Sequence, residues 1–307
     1  MNAAIPRAVF AAILLGSAAT AQVEPEKKPD PADAKVKTLT RLAQVVLGKN
    51  GGDQFFYVPT HDFPQNPATA GFKFEDVKFK TTDDVELRGW FLPAAQGPAR
   101  GTVVYSHGNA GSMAYHIWGV HWLVKGGFNV LMYDYRGYGK SGGTITREGL
   151  VKDVEAAFGY VRSRADIDKQ RIVSFGHSLG GALSLTAVAR NPGLGIRAVV
   201  TNAAFASFKE MGEIKLRDLG RDMVSDDLSP LGVVPNIKVP LLLVHGLADD
   251  VVPVAQGREL FAAAQGDKKM FEVPKAEHGT AFDVEDGAYA KQTVDWLTEK
   301  LNAPVKQ

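Results

Sequence analysis

The chain has 307 residues, with 35 basic side chains against 34 acidic ones and no cysteine. That near-neutral balance supplies no field to gather nucleic acid or an anionic membrane surface. The lack of thiols excludes disulfides, thiolate metal sites and a cysteine nucleophile, while 45% hydrophobic and 22% charged residues suffice for one large core.

In chain order, the first element is a leader. One positive charge lies within residues 1–7, an apolar run too short to span a bilayer with ease covers 8–16, and Ala19-Thr20-Ala21 offers small residues at cleavage positions. This predicts a signal peptide over 1–21 and an exported protein, periplasmic or secreted. Gln22 stands where a lipoprotein anchor would require cysteine. Cleavage would remove one arginine and no acid, leaving a neutral mature chain with no stable membrane span. Residues 22–35, rich in proline and charge, read as a disordered tether. Residues 36–70 read as a short helix over 36–47, ended by Gly51-Gly52, and an irregular lead-in.

The regular domain is expected over 71–303. Residues 74–80 and 85–92 flank Thr81-Thr82-Asp83-Asp84 and predict an antiparallel hairpin. Short apolar strands follow near 102–105, 129–133, 172–175, 198–201, 241–244 and 270–273. Helical stretches near 112–125, 147–163, 178–190, 255–265 and 287–301 alternate with them. Buried strands between amphipathic helices imply an α/β fold, a mostly parallel sheet of about eight strands covered on both faces. Residues 206–239 are longer than an ordinary connection. They read either as a minimal lid over an acyl pocket or as a crossover packed on the sheet.

Chemistry concentrates in Gly176-His177-Ser178-Leu179-Gly180-Gly181. A strand precedes it and a helix follows, so Ser178 stands at the apex of a turn too tight for neighbouring side chains. A serine hydroxyl is a weak nucleophile without a base, and the base needs a third group to fix its tautomer. His278 alone among the seven histidines lies in a loop after the last strand and before the final helix. Asp249, after the strand near 241–244, supplies the acid; Asp250 competes for that role, with an N-cap or solvated charge as its plainer reading. The oxyanion donors are expected at the backbone N–H of Leu179 and of Asn109, in the loop Ser106-His107-Gly108-Asn109-Ala110-Gly111. His107 reads as a packed histidine bracing that loop, and Asp134 and Arg136, in Asp134-Tyr135-Arg136-Gly137-Tyr138-Gly139, as ties between loops. No metal or organic cofactor is expected.

These motifs, with His245-Gly246-Leu247-Ala248-Asp249-Asp250-Val251-Val252-Pro253, resemble the α/β-hydrolase superfamily over 71–303. Within it they look like the Bem46-like group, which includes depalmitoylating α/β-hydrolase-domain proteins. The resemblance implies Ser178 as nucleophile, Asp249 and His278 as its partners, and Asn109 with Leu179 as oxyanion donors. The reaction it implies is cleavage of carboxylic esters, with a small-molecule or lipid acyl ester as substrate. Thioesterase, lysophospholipase and serine peptidase use the same triad, and a non-catalytic binding protein on this fold is the reading from another class.

Overall fold

The computed structural model describes residues 52–53 and 56–304; the expected leader, tether and helix over 36–47 lie outside them. Eight strands form one sheet: β1 (Glu75–Lys80), β2 (Glu86–Leu92), β3 (Thr102–Ser106), β4 (Asn129–Tyr133), β5 (Ile172–His177), β6 (Ala198–Asn202), β7 (Leu241–Gly246) and β8 (Lys268–Val273). Their spatial order is β1-β2-β4-β3-β5-β6-β7-β8. β2 runs antiparallel to both neighbours, and every other pairing is parallel. The hairpin joins β1 to β2 in the register Lys80 opposite Glu86. Its turn closes when the Asp84 amide donates to the Thr81 carbonyl and the Val85 amide to the Thr81 hydroxyl.

The strands are apolar on both faces because both are covered. In β3, Val104 joins one core while Val103 and Tyr105 join the other; in β7, Leu241 and Leu243 oppose Leu242 and Val244. Helices α2 (Arg147–Ser163), α3 (Leu179–Arg190) and α6 (Val254–Ala263) contribute to the first core. Helices α1 (His121–Lys125) and α7 (Ala288–Asn302) contribute to the second. Period-two alternation within a continuous apolar run is the signature of a doubly covered parallel sheet.

The helix expected over 112–125 is a correction. The chain instead forms a 3₁₀ segment, Met113–Gly119, followed by the single-turn α1. Ala114, Ile117 and Val120, three apart, are all fully buried. That spacing suits the three-residue turn of a 3₁₀ helix and would spiral off the core in a long α-helix.

The interval 206–239 holds α4 (Phe208–Met223) and α5 (Pro230–Val233). The Ser207 hydroxyl caps α4 by accepting from the Glu210 amide at 3.0 Å, and Arg217 breaks the helix with φ 52°. α5 packs on α3 as a crossover would, whereas α4 directs Met211 and Lys215 toward a cavity described below.

The lead-in from residue 52 is bound to the domain. Phe56 and Tyr57 are buried in the first core, and Val58–Pro59 pair with Ala110–Gly111. Asp53 forms an ion pair with Arg147, the first residue of α2. Arg147 also donates to the carbonyls of Ser225 and Asp227, both at 2.7 Å, and lies 4.0 Å from the Phe208 ring centroid. One buried guanidinium thus joins lead-in, α2 and the segment after α4. Breaking such a pair leaves a carboxylate short of its counter-ion, at a cost of about 3–5 kcal/mol. Arg147→Ala is therefore expected to lower the urea midpoint by an amount in that range at unchanged m-value; a loss well under 1 kcal/mol would contradict this role.

Candidate active site

In a mostly parallel sheet, the loops at the carboxyl ends of the strands share one rim. Asn109 follows β3, Ser178 follows β5, Asp249 follows β7 and His278 follows β8. Four segments distant in sequence thereby reach one place.

Ser178 occupies the N-cap of α3 with φ 53° and ψ −117°, a strained backbone for a residue with a side chain. The turn holds because the chain around it is pared to the backbone. A Cβ on Gly180 would strike the carbonyl of Ser106, and one on Gly176 the carbonyl of Gly180. The Ser178 amide donates to the Asn202 carbonyl at 2.9 Å and anchors the elbow to β6. Ser178 is 8% exposed, close to buried yet open to a cavity of about 330 Å³. Asn109, Leu179 and His278 line the same cavity.

Asp249 is fixed first. Its Oδ1 accepts from the amides of Val251 at 3.0 Å and Val252 at 2.8 Å. His278 Nδ1 then meets Oδ2 at 2.9 Å and Oδ1 at 3.1 Å. A carboxylate only accepts, so this geometry assigns a proton to Nδ1, and in the neutral ring the lone pair falls on Nε2. Burial pushes the Asp249 carboxyl upward, but the hydrogen bonds from His278, Val252 and Val251 outweigh it and hold the group below the ordinary carboxylate range. Asp250 is exposed and makes no hydrogen bond to His278. The choice between the adjacent acids is thus decided by which one the Val251 and Val252 amides grip.

No hydrogen bond joins Ser178 to His278 among the described residues, a separation usual in a resting site. The Tyr138 hydroxyl, donating to the Asn109 carbonyl at 2.9 Å, holds the loop after β3. Neither the Leu179 nor the Asn109 amide donates to another backbone carbonyl among the described residues, and Leu179 opens the first turn of α3, where amides lack intrahelical partners.

A cluster of imidazoles that reaches the cavity wall through His116 and His177 was not legible as such in the sequence. The His177 ring packs 4.9 Å from that of His278 and 6.2 Å from that of His116, and His116 stacks on His107 at 5.1 Å. Burial lowers the pKa of all three, carrying His177 down to about 3 with help from His278 and His116. They are neutral at neutral pH. His107 is fully buried, donates Nδ1–H to the Gly108 carbonyl at 2.7 Å and packs on Tyr135 at 4.4 Å. Asp134 accepts from the Met113 amide at 2.6 Å, and burial raises its pKa to about 7. Arg136 bridges Asp83 and Asp153. Among the described residues, no group of three His, Asp or Glu side chains is placed to hold a metal, and no helix is long and apolar enough to cross a membrane. A larger open groove, about 540 Å³, lies by Trp122, Phe282 and Ala290, and none of Ser178, Asp249 and His278 lines it.

A mostly parallel eight-stranded sheet with a strained serine elbow and loop-borne Asp and His at its carboxyl rim defines an α/β-hydrolase. Comparison narrows the class: residues 113–304 match the prolyl oligopeptidase family, and the chain belongs to it. The uncharacterised protein YfhR of Escherichia coli (strain K12) is 38% identical over 81% of this chain and 88% of its own length. Protein bem46 of Schizosaccharomyces pombe is 30% identical over 78% and 81%, respectively. The Pyrococcus furiosus esterase Pf2001 shares the fold, with a TM-score of 0.67 at 23% identity over 80% of this chain and 98% of that one.

The Asp249 hydrogen bonds carry a pH signature. Its folded pKa lies below its unfolded one, so the stabilisation is complete above the ordinary carboxylate range and drains away as pH falls through that range to the lower folded value. Asp249→Asn removes this component. In urea unfolding from about pH 7 down to about pH 3, the stability gap between wild type and Asp249→Asn should shrink toward acid; a gap constant with pH would rule this out.

Proposed function

We propose that this α/β-hydrolase cleaves carboxylic esters through an acyl-enzyme. Ser178 Oγ attacks the ester carbonyl carbon while His278 Nε2 takes its proton. Asp249 stabilises the imidazolium through Nδ1–H. The amides of Leu179 and Asn109 receive the oxyanion, each donor worth about 10²–10³ in rate. Collapse expels the alkoxide, which takes the proton from His278; water, deprotonated by His278, then releases the acid and frees Ser178. The observation that carries the reading is the Asp249–His278 pairing through Nδ1, with His278 and Ser178 lining one cavity.

Peptide cleavage is the second reading, and the name of the matched family favours it. The same groups would serve, but an amine leaving group is harder to expel than an alkoxide and demands full protonation by His278. The esterase fold neighbour supports the ester reading. Export remains part of the proposal, resting on the leader-like residues 1–21, and the amino terminus of protein recovered outside the cytoplasm should begin at Gln22.

Wild-type protein should turn over 4-nitrophenyl butyrate faster than the matching 4-nitroanilide and take up a fluorophosphonate label. Ser178→Ala should abolish both label and turnover, and Asp249→Asn should lower kcat by about 10³–10⁴. Label retained by Ser178→Ala would refute the assignment of the nucleophile.

A further inference from the structure

The catalytic cavity has a charge that the reaction above does not use. Lys215, on α4, lines the cavity together with Ser178 and His278. The rest of that wall is apolar, with Phe56, Phe205 and Met211 beside it, and no carboxylate lines the cavity among the described residues. The imidazoles of His116 and His177 are neutral for the reasons given above. Lys215 is therefore the one fixed cation among the described residues of the cavity wall.

Two acids near it on α4 are engaged elsewhere. Glu213 pairs with Arg221, and Glu210 accepts from the Gln256 amide. Lys215 forms no ion pair with a described residue, and its ammonium lies 5.8 Å from the Phe56 ring centroid. The residue is exposed at the cavity mouth, yet the surrounding walls desolvate its ammonium and lower its pKa. An ammonium partly desolvated and without an ion-pair partner among the described residues gains from an anion brought to it by a ligand.

We propose that Lys215 is a specificity-determining residue that recognises a carboxylate or phosphate group on the substrate, with the apolar wall accepting the carbon chain between that group and the scissile carbonyl. The enzyme then acts on anionic esters in preference to neutral ones of the same length. This rests on the ester-hydrolase reading and adds to it the chemical class of the substrate.

The test compares esters that differ by one anionic group, in two arms. The acyl arm sets 4-nitrophenyl hydrogen glutarate against 4-nitrophenyl valerate; the leaving-group arm sets 4-acetoxyphenyl phosphate against phenyl acetate. The readout is the anionic-to-neutral ratio of kcat/KM in wild type, Lys215→Met, Lys215→Glu and Lys215→Arg. The intrinsic reactivity of each ester cancels when ratios are compared between variants. In at least one arm the ratio should fall about tenfold in Lys215→Met, as expected for one partly exposed ion pair. It should fall further in Lys215→Glu and survive in Lys215→Arg, and added salt should erode the wild-type preference. The responding arm shows whether the anion sits on the acyl or the alcohol side. Equal ratios in wild type, Lys215→Met and Lys215→Glu in both arms overturn the proposal.

Failure of the ester reading is separately visible, as no turnover of any ester. The subsite is then judged by binding alone. Glutaric acid mono-anilide and neutral valeranilide are titrated calorimetrically into Ser178→Ala and into the Ser178→Ala, Lys215→Glu double variant. Stronger binding of the anionic anilide only where Lys215 is present supports the site; equal binding to both proteins overturns it.

Discussion

The structure depends on the close approach of the β5–α3 turn to the end of β3. Ser178 stands in a left-handed backbone at the head of α3, and the Gly180 backbone lies so near the Ser106 carbonyl that no side chain fits between them. This contact brings the Leu179 amide beside the loop that carries Asn109, the arrangement on which the proposed oxyanion site rests. It also concentrates local strain where the reactive group sits, which persists only because two cores hold the sheet beneath it.

Around that contact the electrostatics are sorted by burial and hydrogen bonding. Asp249 stays ionised because three donors offset its desolvation. His107, His116 and His177 stay neutral because their hydrogen bonds with the backbone of Gly108, Ala110 and Asn202 offset theirs only in part. The His278 imidazole therefore rests on the neutral ring of His177, with the Asp249 carboxylate on its Nδ1 side. A positively charged His177 would have opposed imidazolium formation at His278; held neutral, it packs against that ring at 4.9 Å without doing so.

Much of this was legible in the sequence, for reasons that are local. The β5–elbow–α3 unit could be read because glycine spacing and the strand-to-helix switch are properties of adjacent residues. The two-faced strands could be read because β3 and β7 alternate their side chains between two covered faces. The 112–125 segment reads as one helix in sequence but folds as a 3₁₀ segment and a single α-turn, since apolar spacings of three and of 3.6 look alike over two turns. Chain order alone does not separate Asp249 from Asp250; the amides of Val251 and Val252 hold Asp249, and it is Asp249 that pairs with His278.

The sequence by itself determined the class of fold and the three side chains expected to act, because hydrophobic periodicity, turn sterics and chain order are written in neighbouring residues. Tertiary structure alone decided what stands beside those side chains: the stacked imidazoles, the Arg147 junction that binds the lead-in to α2, and Lys215 at the cavity mouth. Each joins residues tens of positions apart, and no local pattern encodes a distance that only the packing of α4, the lead-in and the strand-end loops against one another sets.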